Sequence, residues 1–130
     1  MPLRVAVDAT SLYGARTGVG RFAASLLEQV AGRDDVTMVA FAVTWRGRED
    51  LADLVPDGVA TASGPMAAKP LRALWQRTDH PRIERWTGRI DVVHGPNFVV
   101  PPSSAARVAT VHDLTFIHHP ELCSADVLEY

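Results

Sequence analysis

The sequence predicts an α/β fold on a doubly wound parallel sheet, and three observations carry that expectation. Short Val-rich apolar runs alternate with segments whose apolar residues recur at helical spacing. Residues 36–43 are apolar almost without a break, the signature of a strand covered on both faces. Polar residues suited to chemistry sit at the ends of the apolar runs, namely Asp8, His94 and His112-Asp113.

In chain order, residues 3–8 read as a first strand closing on Asp8, and a small-residue loop follows over 9–17. Val19, Phe22, Ala23, Leu26, Leu27 and Val30 then repeat every three or four positions, one face of a helix with Thr17 as N-cap and Gly32 as stop. Residues 36–43 form the second strand, 46–54 a short helix, and 59–62 a weak third strand between Pro56-Asp57-Gly58 and Ser63-Gly64-Pro65. Residues 67–87 return to a helical pattern that Pro81 should interrupt. Residues 90–94 and 107–111 are two further strands, joined by the proline-rich loop 95–104. Ser124 is placed to cap a last helix over 125–130. Such alternation implies right-handed βαβ crossovers. With the order 3-2-1-4-5, the first and fourth strands would flank the switch point where ligands bind in open sheets.

Composition narrows the function classes. With 130 residues, 47% hydrophobic and 22% charged, the chain has the makeup of a folded domain. No run approaches the ~20 apolar residues of a membrane span, and the first residues lack a signal-peptide core. Cys123 is the only cysteine, so a reducing, cytoplasmic compartment is expected. The net charge of −2 gives no overall pull toward nucleic acid, which is not an expected partner. Every basic residue but Lys69 is arginine. Lys69, Arg72, Arg77, Arg82, Arg85 and Arg89 stand against Asp79 and Glu84, with Leu71, Leu74, Trp75, Ile83 and Trp86 interleaved. Residues 68–89 therefore read either as a peripheral contact with an anionic membrane face or as an ordinary helix packing on the sheet.

Gly18-Val19-Gly20-Arg21-Phe22-Ala23 opens the first helix with glycines that let a backbone approach a phosphate, at the end of the helix that favours anions. Arg21 adds a planar cationic fork, or is a solvated surface residue. A nicotinamide cofactor is disfavoured, because the glycines follow the first strand at a distance and Val43-Thr44-Trp45 offers no acid for a ribose. His112, His118 and His119 lack the regular spacing and thiols of a zinc site, so neither metal nor cofactor is expected. No nucleophile elbow supports a serine triad.

Val7-Asp-Ala-Thr-Ser11, Arg16-Thr-Gly-Val-Gly-Arg-Phe22 and Leu26-Leu27 resemble the opening of family 4 (group 1) glycosyltransferases. Asp91-Val-Val-His-Gly-Pro-Asn-Phe98, Thr110-Val-His-Asp-Leu-Thr-Phe116 and His119-Pro-Glu121 are similar to later blocks of that family, in the same order and across nearly the whole chain. The resemblance implies the GT-B fold, two Rossmann-like domains across a cleft, with residues 1–130 as most of the N-terminal, acceptor-side domain. It implies retaining transfer of a sugar from a nucleotide-sugar donor to a glycan or lipid-linked acceptor. Gly18 and Gly20, with Val19 and Arg21 between and beside them, would lie by the donor diphosphate or the acceptor. His112 would sit against the transferred sugar, Asp113 would hold the loop presenting it, and His94 and Asn97 would line the cleft. The C-terminal nucleotide-sugar domain and the last strands of the N-terminal one are missing from the pattern, so these residues alone are expected to be inactive. Glu121 and Glu129 copy the spacing of the family's glutamate pair but in the wrong domain, a coincidence. A non-catalytic module for a glycan or phosphate ligand is the alternative, and an unfinished sheet edge would let two copies pair.

Overall fold

A computed structural model of the chain describes residues 1–128; Glu129 and Tyr130, and with them the paired-glutamate spacing, lie outside the described residues. Strand β1 (Leu3–Asp8) leads through a 3-10 turn at Thr10–Leu12 into helix α1 (Gly18–Ala31) and strand β2 (Val36–Phe41). A second 3-10 turn, Arg48–Asp50, runs into α2 (Leu51–Leu54), followed by β3 (Ala60–Ala62), α3 (Ala68–Trp75) and α4 (Glu84–Thr87). Strands β4 (Val92–Gly95) and β5 (Ala106–Ala109) complete the sheet, and α5 (Thr115–His118), a turn at Pro120–Leu122 and α6 (Ala125–Leu128) follow.

All five strands are parallel in the order β3-β2-β1-β4-β5, the expected doubly wound arrangement. The register pairs Val7 with Ala40 on one side and with His94 on the other. Successive strand residues point to opposite faces. Val7, Met38 and Ala40 therefore meet Ala23, Ala24 and Leu27 of α1 and Leu51 of α2. Ala6, Val39, Phe41 and Val93 meet Leu71 of α3 and Ile83 on the other face. Full burial of Leu27 and Phe41 contributes roughly 1.5–3 kcal/mol each. Helices α1 and α2 thus cover one face and α3 and α4 the other, so the winding reverses between β1 and β4.

Local chemistry sets the element ends. The Thr17 hydroxyl accepts from the Gly20 N–H at 3.4 Å and caps α1, and Gly32 terminates it with its N–H on Val30 O. β2 stops at Phe41, short of the expected strand end, because the Val43 N–H donates to Thr10 Oγ1 at 2.9 Å and not to a neighbouring strand. The helical pattern of 67–87 resolves into two short helices. The first ends at Trp75, ahead of Pro81, where the Arg77 and Thr78 N–H groups both close on Leu74 O, and beyond Pro81 the Ile83 N–H is anchored on Pro102 O. Within 68–89, Leu71 and Ile83 are buried, and Trp75 and Trp86 pack against the core; Lys69, Arg77, Arg82, Arg85 and Arg89 are exposed. That is the arrangement of helices packed on a sheet, with Leu74 left as the large exposed apolar side chain of α3. All four residues of β5 are exposed, and Val108, Val111, Leu114 and Ile117 extend this open apolar edge. Among the described residues no helix is long and apolar enough to cross a membrane.

Candidate functional site

The reversal of winding opens a crevice at the carboxyl ends of β1 and β4, and the chain's polar residues divide there between the two faces of the sheet. On the α3 face lies a cleft of about 310 Å³ lined by Asp8, Thr10, Ser11, Arg72, Trp75, Asn97 and Phe98, among others. Asp8 closes β1, and its Oδ1 accepts from both the N–H and the hydroxyl of Thr10. Because the same Thr10 oxygen accepts from Val43, one side chain ties the end of β1 to the end of β2. Burial pushes the Asp8 carboxyl above the usual carboxylate range, while the Thr10 hydrogen bonds and then the Arg72 charge pull it part of the way back. The Ser11 hydroxyl is buried without a hydrogen-bond partner among the described residues.

The far wall of the cleft comes from the loop after β4. A Cβ at Gly95 would overlap the Val99 carbonyl, so only glycine lets this loop fold back on itself. Phe98 adopts φ +46° in a three-residue turn closed by the Val99 N–H on Asn97 O at 2.6 Å. A left-handed bulky residue costs on the order of 1–3 kcal/mol. Here it is held by a hydrogen bond from the Phe98 N–H to Thr110 O at 2.9 Å and by ring stacking on Phe116, centroids 5.9 Å apart.

On the α1 face, His112 meets the start of the helix. Its ring stands edge-on to Phe22, centroids 5.1 Å apart, and its Nε2 lies 2.7 Å from Pro96 O. A carbonyl only accepts, so Nε2 carries the proton and Nδ1 is the ring's acceptor when the imidazole is neutral. The Asp113 Oδ1 accepts from the Thr115 N–H at 2.9 Å, fixing the turn into α5; this bond holds its carboxyl below the usual range. The His94 Nε2 lies 2.7 Å from Thr110 Oγ1, and burial holds its pKa down, so the imidazole is neutral at physiological pH.

The two motif glycines differ. A Cβ at Gly20 would come within 2.6 Å of the Ser11 carbonyl oxygen, so this glycine lets α1 press against the first 3-10 turn. A Cβ at Gly18 would meet nothing within 4 Å. The amides of Gly18 and Val19 have no acceptor within the helix. Arg21 is exposed beside them.

The structure therefore gathers Gly18–Arg21 and His112 on one face and sends Asn97 to the cleft on the other, while His94 pairs with Thr110 between β4 and β5. Arg72, Trp75 and Phe98, which line the cleft, were not singled out as site residues from the sequence. Arg72 and Trp75 carried a signal, three residues apart on one helix, but it was submerged in the arginine-rich stretch around them. Among the described residues no three of His, Cys, Asp and Glu gather as a metal site. No family model matches the chain, and neither the curated proteins nor the solved structures yield a match.

Proposed function

We propose that this chain forms the acceptor-side domain of a retaining glycosyltransferase, with a nucleotide-sugar as donor and a glycan or lipid-linked acceptor. The observation that carries the reading is the edge-on contact of His112 with Phe22, one turn into α1, at the carboxyl edge of the sheet where the winding reverses. Transfer breaks the bond between the anomeric carbon and the nucleoside diphosphate, and negative charge builds on the departing phosphate as the acceptor hydroxyl attacks that carbon and passes its proton to the leaving phosphate oxygen. Free first-turn amides at Gly18 and Val19, the helix dipole and the Arg21 guanidinium are fixed positive groups suited to that charge. His112, with Nε2 committed to Pro96, presents Nδ1 for a hydrogen bond to a sugar hydroxyl. Such chemistry needs placed dipoles more than a protein nucleophile. In this reading the nucleotide is held chiefly by a second domain of the GT-B pair.

The test is release of nucleoside diphosphate and transfer of labelled sugar by the full-length protein that carries this domain. His112→Ala is expected to lower turnover about 10–100-fold, the loss of one hydrogen bond of about 1–3 kcal/mol to the reacting sugar. Unchanged turnover would remove His112 from the reaction. Sugar binding without any donor turnover would favour a non-catalytic glycan-binding module.

A further inference from the structure

The cleft on the α3 face is separate from the His112 cluster, and its wall chemistry is specific. Asp8 and Arg72 carry opposite charges across it, yet no ion pair joins them among the described residues. Thr10 engages only Oδ1 of the carboxylate, so Oδ2 retains its acceptor capacity, and no protein hydrogen bond to the Arg72 guanidinium is present among the described residues. A half-buried carboxyl group and a guanidinium that do not pair with each other suit a ligand with both donors and acceptors and no net charge.

The remaining lining sharpens the choice. The Trp75 indole N–H donates to Pro81 O at 2.8 Å, which locks the ring and leaves only its apolar surface for a ligand. Phe98 supplies a second aromatic surface, held at positive φ by the folded loop. A volume of about 310 Å³ is at the lower end of the ~300–1,000 Å³ typical of ligand sites, room for a single ring and not for a nucleotide-sugar. A phosphate would face the Asp8 carboxylate with one cation to offset it.

We propose that this cleft binds one neutral, polyhydroxylated ring, with the ring's apolar side on Trp75 and its hydroxyls on Asp8 and Arg72. As a statement about the acceptor it rests on the transferase reading above; as a binding site it stands without it.

The experiment follows the indole N–H resonance of Trp75, assigned by its absence in Trp75→Phe, with Trp45 and Trp86 as internal references. The full-length protein is titrated with the methyl glycosides of glucose, mannose and galactose, with myo-inositol, and with inorganic phosphate. At least one neutral ring should shift Trp75 with a Kd of about 1–10 mM, the range of a weak single-ring contact. Asp8→Asn and Arg72→Gln should each weaken it about tenfold with unfolding midpoints that show a folded protein. The proposal falls if no ring moves Trp75 up to about 50 mM, if phosphate moves it as strongly, or if both variants bind like the parent. Ring binding without sugar transfer would sink the transferase reading and keep the site. Transfer to an acceptor that leaves Trp75 unmoved would sink the site and keep the transferase.

Discussion

Replacing each motif glycine by alanine separates the glycine that builds the fold from the one free to serve a ligand. At Gly20 the new Cβ would stand 2.6 Å from the Ser11 carbonyl oxygen, a backbone atom that cannot swing aside. Either α1 lifts from the turn at Thr10–Leu12 or the turn distorts, and overpacking of this kind costs about 1–3 kcal/mol. For a domain of this size each kcal/mol moves the midpoint by roughly 4 °C, so Gly20→Ala should unfold some 4–12 °C earlier. Gly18 has open space around its Cα and no positive φ, so Gly18→Ala should be neutral or stabilise by about 0.4–1 kcal/mol through the unfolded chain. If the open side of Gly18 is where a phosphate approaches the backbone, the same methyl should still raise the KM for donor. Thermal and urea unfolding measure the first effect, and steady-state kinetics on the full-length protein the second. A Gly20→Ala variant as stable as the parent would refute the packing argument. A Gly18→Ala variant with normal stability and normal kinetics would remove Gly18 from the site.

Glu84 predicts an acid limb of the stability profile. Burial raises its pKa, but the hydroxyls of Ser104 and Ser103 and the Ser104 N–H, all on Oε1, outweigh that and hold it at about 2. A carboxylate depressed on folding stabilises fully above its ordinary value near 4.5 and loses that contribution as pH falls toward about 2. Glu84→Gln should flatten this limb and cost about 1–2 kcal/mol near neutrality; an unchanged profile in denaturant titrations at several pH values would count against it. Asp8 has the opposite sign. Its raised pKa means that ionisation costs stability as pH rises from 3.8, so Asp8→Asn should stabilise by roughly 0.5–2 kcal/mol near pH 7 while weakening ring binding. Loss of stability in that variant would mark Asp8 as structural. The exposed edge strand β5 should let copies associate at high concentration. Val108→Lys should reduce that association in light scattering, and a concentration-independent mass for the parent would contradict it.

The sheet was legible in the sequence because burial on both faces writes itself into composition: Val36 to Phe41 alternates between two cores, and both demand apolar residues. The α1 pattern and its Thr17 cap were legible for the same local reason. Strand ends were not, since they depend on partners far away in sequence; nothing near Val43 announces that its N–H will go to Thr10. The Asp8 end of the crevice followed from its place after a strand. Arg72 and Trp75 did not, because a basic amphipathic segment looks the same whether its polar face meets water, lipid or a cleft. Only the packing of Leu71 beneath α3 decides which way Arg72 turns. Phe98 was illegible in a stronger sense, as a bulky residue at positive φ goes against its own backbone preference.

The two faces of the switch point are joined by one loop. The Pro96 carbonyl accepts a hydrogen bond from His112 Nε2 on the α1 side, and Asn97 and Phe98, the next two residues, line the cleft on the α3 side. Phe98 then stacks on Phe116, three residues beyond Asp113, so the loop after β4 and the loop after β5 brace each other. The Phe98 wall of the cleft and the Pro96 carbonyl that holds His112 are thus two residues apart on one turn. That proximity gives the strain at Phe98 a use: a relaxed, extended loop could not return to Thr110 within so few residues, and His112 would lose the carbonyl that sets its tautomer. The unfavourable backbone at one residue is what lets a single short loop wall the cleft on one side and hold His112 on the other.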